Sequence, residues 1–190
     1  MRDEPSLIAD LNDLLQLDHD AVEAYTIAIN LVRSDAHRDR LVAFRADHKR
    51  HIEELAALIR DRRGVAVELP HLPTGPFKLA VQAAGAFGGD AAVLLAFKAN
   101  ERQVRDKYAR YLDRSYPTDV AAILRRAADD EEQHYRWVSD TLLQMGHGDR
   151  SLTGMAERVF ENVHARVADV VENVERTVME GVERVRRDMR

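Results

Sequence analysis

Two short polar segments, 83 residues apart, carry the side chains of this chain that are best suited to chemistry. The first reads DHKRH over residues 47–51, and the second reads DEEQH over residues 130–134. The same offset of 83 residues relates Asp18 to Glu101. We infer that the chain contains two copies of a helix pair, each directing carboxylate or imidazole groups toward one place.

The residues at that place predict a metal site. Six candidate ligands lie at the centre of helical stripes that are otherwise apolar: Asp18, His48, His51, Glu101, Glu131 and His134. Carboxylate oxygens and neutral imidazoles are ligands of iron, manganese and zinc. Burying one unpaired carboxylate costs on the order of several kcal/mol, so a divalent ion is the expected partner. The three-residue spacing within each histidine-containing pair allows both members to reach one ion.

Four further residues are placed to support such an ion. Asp47 and Asp130 flank the stripes, and we expect each to accept a hydrogen bond from an imidazole N–H on the opposite helix, which would fix the metal-binding tautomer. Tyr25 and Tyr108 each follow a candidate carboxylate ligand by seven residues. They are candidate redox residues at the catalytic centre, or else core aromatics with a hydrogen-bonded hydroxyl.

Prolines and glycines divide the chain into the elements that must position these groups. Capping and breaking residues predict helices over about 6–34, 36–62, 90–115 and 117–146, and a fifth from 151 nearly to the C-terminus. The stretch 65–76 holds three of the five prolines and predicts a long crossover. Two helical hairpins joined by such a connection form a four-helix bundle in which the second and third helices run parallel.

At this point the residues resemble a known family. The segment at 130–134 is similar to the Asp-Glu-x-x-His motif of the fourth bundle helix in bacterioferritins and rubrerythrins, and Glu101 resembles their third-helix ligand. Bacterioferritin also has a tyrosine at the offset that separates Tyr25 from Asp18. The resemblance covers about residues 7–146, and it implies an all-α, ferritin-like up-down-down-up bundle with a long crossover.

The resemblance also implies roles and an activity. Glu101 would be a terminal ligand, Glu131 a bridging ligand and His134 a terminal imidazole. The cofactor would be iron, as a di-iron or single-iron site, with manganese or zinc as other candidates. The implied activity is iron oxidation, iron handling or oxidant removal, with dioxygen or peroxide as the reactant.

Two positions depart from the family pattern. Asp18 stands where the family has glutamate, and His48 replaces the second bridging glutamate. The three remaining carboxylates supply three negative charges against the four positive charges of two divalent ions. A symmetric pair of ions, an asymmetric pair and a single ion therefore all remain open.

Two other functional classes compete with this interpretation. The segment LDHDAVEAY at 17–25 also resembles a hemerythrin-type domain, which binds oxygen or iron mostly through histidines from all four helices. The predicted third helix contains no histidine, which favours the ferritin-like interpretation. The other class is a non-catalytic helical scaffold or stress-associated interaction protein with a vestigial metal site.

Composition excludes several functions. The chain has 190 residues, a net charge of −5 and no cysteine, so thiolate sites and disulfides are excluded. The sequence has no basic patch of the kind that binds nucleic acid. No apolar run approaches the roughly 20 residues that cross a bilayer, and the start MRDEPSLIADL lacks the pattern of a signal peptide. We expect a cytoplasmic protein without a membrane partner.

The C-terminal part has its own pattern. We divide the chain into a bundle domain, 1–148, and an association helix, 149–190. One apolar stripe runs through the second part: Val159, Val163, Val167, Val170, Val174, Val178, Val182, Val185 and Met189. A helix of this length would be longer than the bundle. Because one monomer could not cover the stripe, self-association into a homo-oligomer is the expected use.

Overall fold

The described part of the chain is entirely α-helical. The computed structural model describes residues 4–70 and 75–147, and for residues 75–88 it describes the backbone only. Within these ranges there are four helices and no strand: α1 (Glu4–Leu31), α2 (Asp35–Asp61), α3 (Gly75–Leu112) and α4 (Thr118–Gln144). None of the described helices combines the length and apolar character needed to cross a bilayer. The predicted association helix, 149–190, lies outside the described residues and stays a prediction.

The junction between α1 and α2 is short and capped. Ser34 has extended backbone geometry at the N-cap of α2, and its hydroxyl accepts a hydrogen bond from the backbone N–H of His37 at 3.4 Å. Only residues 32–34 separate the two helices. The helices therefore pack side by side in opposite directions.

The third helix is interrupted where the sequence predicts a glycine break. Helix α3 (Gly75–Leu112) is divided by a kink at Gly89, so a helical segment also precedes the predicted start at Asp90. Gly89 has φ 64° and ψ −163°, a conformation that side-chain-bearing residues rarely adopt. The Asp90 carboxylate accepts hydrogen bonds from the backbone N–H groups of Arg33 at 2.7 Å and Ser34 at 3.0 Å. Asp90 therefore ties α3 to the α1–α2 junction, where the sequence predicted a cap for its own helix.

Each helix packs against two others. The contacting pairs are α1 with α2, α3 with α4, α1 with α3, and α2 with α4. Contacts from Asp18 to Tyr108 and from Asp10 to Tyr116 show that α1 and α3 run in opposite directions. Since α2 is also opposite to α1, the second and third helices are parallel. The chain between Asp61 and Asp90 must therefore cross from one end of the bundle to the other.

Two apolar clusters form the core, one toward each end of the bundle. The first is built from buried residues that include Leu7, Leu11, Leu14, Leu15, Leu55, Ile59, Val104, Tyr108, Val120 and Leu124. The second includes Ala21, Ala24, Tyr25, Ala28, Leu41, Phe44, Val93, Leu94, Phe97, Val138 and Leu142. The predicted ligands occupy sequence positions between these two sets on every helix. The polar site is thus sealed by apolar packing above and below.

Candidate metal centre

The six predicted ligands lie together at the middle of the bundle. Each is at most 1% exposed: Asp18, His48, His51, Glu101, Glu131 and His134. They form two overlapping groups, in each of which one potential ligand atom per residue lies within 4.8 Å of the others. The first group, site A, is Asp18, His48, His51 and Glu131; the second, site B, is His48, Glu101, Glu131 and His134. All four helices contribute, and His48 and Glu131 belong to both groups.

In site A the carboxylate of Asp18 lies within hydrogen-bond distance of three side chains. Its Oδ1 lies 2.8 Å from Nδ1 of His48 and 3.3 Å from Nδ1 of His51. Its Oδ2 accepts a hydrogen bond from the hydroxyl of Tyr108 at 2.6 Å. Aspartate has a shorter side chain than glutamate, and both carboxylate oxygens of Asp18 are thus engaged in contacts with other side chains of the protein.

In site B the corresponding groups approach one another without hydrogen bonds of standard geometry. Nδ1 of His134 lies 3.7 Å from Oε2 of Glu101 and 3.6 Å from Oε2 of Glu131. Within the described part of the chain, no hydrogen bond of standard geometry reaches either oxygen of these two carboxylates, although the Tyr25 hydroxyl and the Asn100 side chain lie close enough to Glu101 to offset part of the rise in pKa that its burial causes. Oε1 of Glu131 lies 3.5 Å from Nδ1 of both His48 and His51. Nδ1 of His134 and Nε2 of His48 are likewise buried and without a hydrogen-bond partner there.

The outer nitrogens of two imidazoles contact carboxylates across the α2–α4 interface. Nε2 of His134 lies 3.2 Å from Oδ2 of Asp47, and Nε2 of His51 lies 3.1 Å from Oδ2 of Asp130. An ionised carboxylate can only accept, so each Nε2 carries the proton. For His134 this leaves the Nδ1 lone pair facing the centre of the site, the arrangement that metal-binding histidines require.

Arg50 joins these two carboxylates, a role that the sequence interpretation missed. Its Nη1 donates to Asp47 at 2.7 Å and its Nη2 to Asp130 at 2.6 Å. One guanidinium therefore closes a chain of contacts that runs from His134 to His51. The available signal was the three-residue spacing between Asp47 and Arg50, which places both on one side of α2.

Burial and charge shift the ionisation of the site in opposite directions. For Asp18, burial raises the pKa, but the hydrogen bonds with His48 and His51 outweigh it and lower the pKa to about 2. Burial lowers the pKa of His51, while Asp18 raises it to about 9. Burial raises the pKa of Glu101 and of Glu131 above the ordinary range. When no cation is bound, the contacts between Asp18 and His51 favour the charged forms of these two residues, whereas burial favours the protonated forms of Glu101 and Glu131.

The two candidate redox tyrosines differ in their contacts. Both are fully buried, and burial raises both pKa values well above the ordinary value. Tyr108 donates to Asp18. The hydroxyl of Tyr25 lies near Glu101, and the charge of Glu101 further raises the pKa of Tyr25. This hydroxyl makes no hydrogen bond of standard geometry with the described residues. The Tyr25 ring packs edge-on against Phe97, with ring centres 4.4 Å apart.

The donor set fits a divalent transition-metal ion. Site B offers two carboxylates and two imidazole nitrogens, all buried, and its potential ligand atoms have no hydrogen-bond partner in the described ranges. Buried polar atoms without partners each cost about 1–3 kcal/mol. A bound cation would remove that cost, and imidazole with carboxylate suits iron, manganese or zinc.

Comparison with known proteins gives little further information. No protein-family model and no solved structure matches the chain. It is 26% identical over 136 residues to the uncharacterized protein YhjR of Bacillus subtilis (strain 168), a match that covers 72% of this chain and 86% of that protein.

Proposed function

We propose that the chain is a ferritin-like protein that binds a divalent transition-metal ion at the centre of its bundle, with iron as the first candidate. The observation that carries the proposal is the pair of overlapping groups, each of four buried ligand atoms within 4.8 Å. The parallel second and third helices and the 83-residue repeat of the polar segments support the ferritin-like assignment.

The residues of the chain have separate tasks in this proposal. Glu101, Glu131 and His134 would hold the ion, and Asp47 fixes the His134 tautomer from outside. Apolar packing on both sides excludes water from the site. A bound iron ion would supply redox chemistry toward dioxygen or peroxide, which is the basis for proposing iron oxidation, iron handling or oxidant removal.

One observation favours a second candidate, a helical scaffold with a vestigial site. Asp18 is already satisfied by His48, His51 and Tyr108 without any cation. A hemerythrin-like role has less support, because neither group of potential ligands includes a histidine from α1 or α3. Metal binding by the folded protein separates the first two candidates.

The test measures thermal unfolding of the metal-free full chain with and without added metal. An ion that binds only the folded state stabilises it by about 2.7 kcal/mol when its free concentration is one hundred times the dissociation constant. Fe(II) under anaerobic conditions, Mn(II) and Zn(II) should each be tested, with Mg(II) as a hard-cation comparison. We expect at least one transition-metal ion to raise the melting temperature.

Substitutions identify the source of that rise. His134→Ala should abolish it, whereas His147→Ala, which alters a histidine outside both groups, should preserve it. Protein shown to be metal-free whose melting curve is unchanged by every ion would contradict the proposal and favour the scaffold.

A further inference from the structure

The two halves of the site are related by the sequence repeat but differ in their hydrogen bonds. The 83-residue offset relates Asp18 to Glu101 and His51 to His134. Asp18 accepts from three partners, whereas neither oxygen of Glu101 has a hydrogen-bond donor of standard geometry among the described residues. Only one of two formally equivalent carboxylates is therefore left available to a cation.

The two repeat-related imidazoles differ in the same way. His51 has a carboxylate on each nitrogen, Asp18 at 3.3 Å from Nδ1 and Asp130 at 3.1 Å from Nε2. Both nitrogens of His51 therefore lie within hydrogen-bond distance of a carboxylate oxygen. His134 has such a partner on Nε2 alone, because its Nδ1 lies 3.7 Å from Glu101 and 3.6 Å from Glu131. Within the described residues, Nδ1 of His134 is thus without a hydrogen bond, whereas Nδ1 of His51 contacts Asp18.

The shared histidine, His48, has one nitrogen without a hydrogen bond to the described residues. Nδ1 of His48 donates to Asp18 at 2.8 Å, so the lone pair of a neutral ring is on Nε2. That nitrogen is buried and has no hydrogen-bond partner within the described ranges. His48 can therefore hydrogen-bond to Asp18 and offer its other nitrogen to an ion in site B at the same time.

The carboxylates divide unequally between the two sites. Glu101 and Glu131 together carry the two negative charges that balance one divalent cation. A second divalent ion in site A would have to replace the contacts of Asp18 with His48, His51 and Tyr108, and it would have only that one carboxylate unshared.

We propose that the protein holds a single tightly bound divalent ion, in site B, and that the contacts of Asp18 with His48, His51 and Tyr108 occupy the place of a second ion. The inference rests on the proposed function, because it assumes that the bundle binds metal. It assigns Glu101, Glu131, His134 and Nε2 of His48 as the ligands, and it makes Asp18 and His51 positioning residues that hold His48.

Stoichiometry and position test the inference directly. Metal-free full-length protein should be titrated calorimetrically with Zn(II) and with Co(II), and we expect one tightly bound ion per chain. Anomalous scattering from a Co(II)-loaded crystal should then show the ion beside Glu101 and His134. The ¹⁵N signals of the His134 ring should shift on adding one equivalent of Zn(II), and those of the His51 ring should change less.

Matched substitutions in the two halves add a second measurement. His134→Gln removes a ligand and should weaken binding at least tenfold more than His51→Gln, a difference of at least about 1.4 kcal/mol. Unfolding curves of both variants verify that they fold. If His134→Gln does not fold, the position of the ion in the wild-type crystal still decides.

Three results would overturn the inference, and they are distinguishable. Two ions of similar affinity, or one ion beside Asp18 and His51, would refute it while leaving the proposed function intact. A chain that binds no transition-metal ion at all would remove the proposed function together with the inference.

Discussion

Arg50 and Asp130 are joined across the α2–α4 interface by a contact of 2.6 Å between Nη2 and Oδ2. The same guanidinium donates to Asp47 from its own helix, so it fixes both carboxylates that orient His51 and His134. Partly exposed residues thereby control the geometry of imidazoles that are almost completely buried. This link makes the first prediction possible.

Replacing Arg50 by alanine should weaken metal binding without unfolding the bundle. Loss of the guanidinium frees Asp47 and Asp130 to move, and His134 then loses its fixed orientation. Changes to groups that orient metal ligands typically reduce affinity about 10–100-fold. We expect at least a tenfold increase in the dissociation constant for Zn(II), measured by calorimetry, and a changed Co(II) absorption spectrum.

Arg126 offers a matched control for Arg50. It also joins α4 to α2, through a 2.7 Å contact with Glu54, and it is partly exposed. Because it does not contact a ligand or its supporting carboxylates, Arg126→Ala should leave the Co(II) spectrum unchanged and alter the free energy of unfolding by no more than about 1 kcal/mol. Equal effects of the two substitutions on metal affinity would refute an orienting role for Arg50.

Removing the hydroxyl groups of the two tyrosines should have unequal effects on stability. Tyr108→Phe takes away the donor to Oδ2 of the buried, ionised Asp18, and a hydrogen bond to a charged group is worth about 1.5–3 kcal/mol. Tyr25→Phe removes a hydroxyl that lies close to Glu101 without a hydrogen bond of standard geometry in the described structure, so it should cost less stability than Tyr108→Phe. Urea unfolding of the metal-free proteins measures both values. Similar destabilisation by both changes would contradict the difference between the two halves.

Much of the site could be predicted because its signals are local. Polar residues that interrupt apolar helical stripes must lie in the core, and four such stripes locate the six candidate ligands. The contacts that orient these ligands were harder to predict from the sequence. The bond from Arg50 to Asp130 spans 80 residues, and it depends on which helices face each other. Spacing likewise could not show that Asp18 is hydrogen-bonded to His48 and His51, since that depends on side-chain geometry.

The helical fold could be predicted from the sequence, but the choice of residues that each helix buries could not be predicted fully. Helical spacing from Asp18 puts Val22 and Ile29 on the apolar stripe of α1, yet both are only partly buried. Buried alanines take the adjacent positions: Ala21, Ala24 and Ala28. Small side chains allow a close approach between helices. Alanine is only weakly hydrophobic, so a search for hydrophobic periodicity does not mark these positions as buried. The bond from Asp90 to Arg33 was also missed, because a carboxylate near a helix start is normally interpreted as a cap for that helix.

Without metal, the protein should lose stability as pH rises from about 5 to 9. The folded-state pKa values of Glu101 and Glu131 are raised by burial from the ordinary 4.5, and that of His51 is raised from 6.5 to about 9 by Asp18. Above the ordinary pKa values, the folded protein therefore holds protons that the unfolded chain has released. Each such group lowers the free energy of unfolding by at most about 1.4 kcal/mol per pH unit.

On the acid side the sign reverses. The pKa of Asp18 is lowered from 3.8 to about 2, so its stabilising contribution is present above pH 3.8 and is lost as pH falls toward 2. Metal-free protein should consequently be most stable near pH 4–5. Bound metal takes the place of the protons on Glu101 and Glu131, so the gain in melting temperature on adding Zn(II) should grow between pH 5 and pH 8. A metal-free protein whose melting temperature rises steadily over that interval would contradict the assigned charges, and Glu101→Gln should flatten the expected decline.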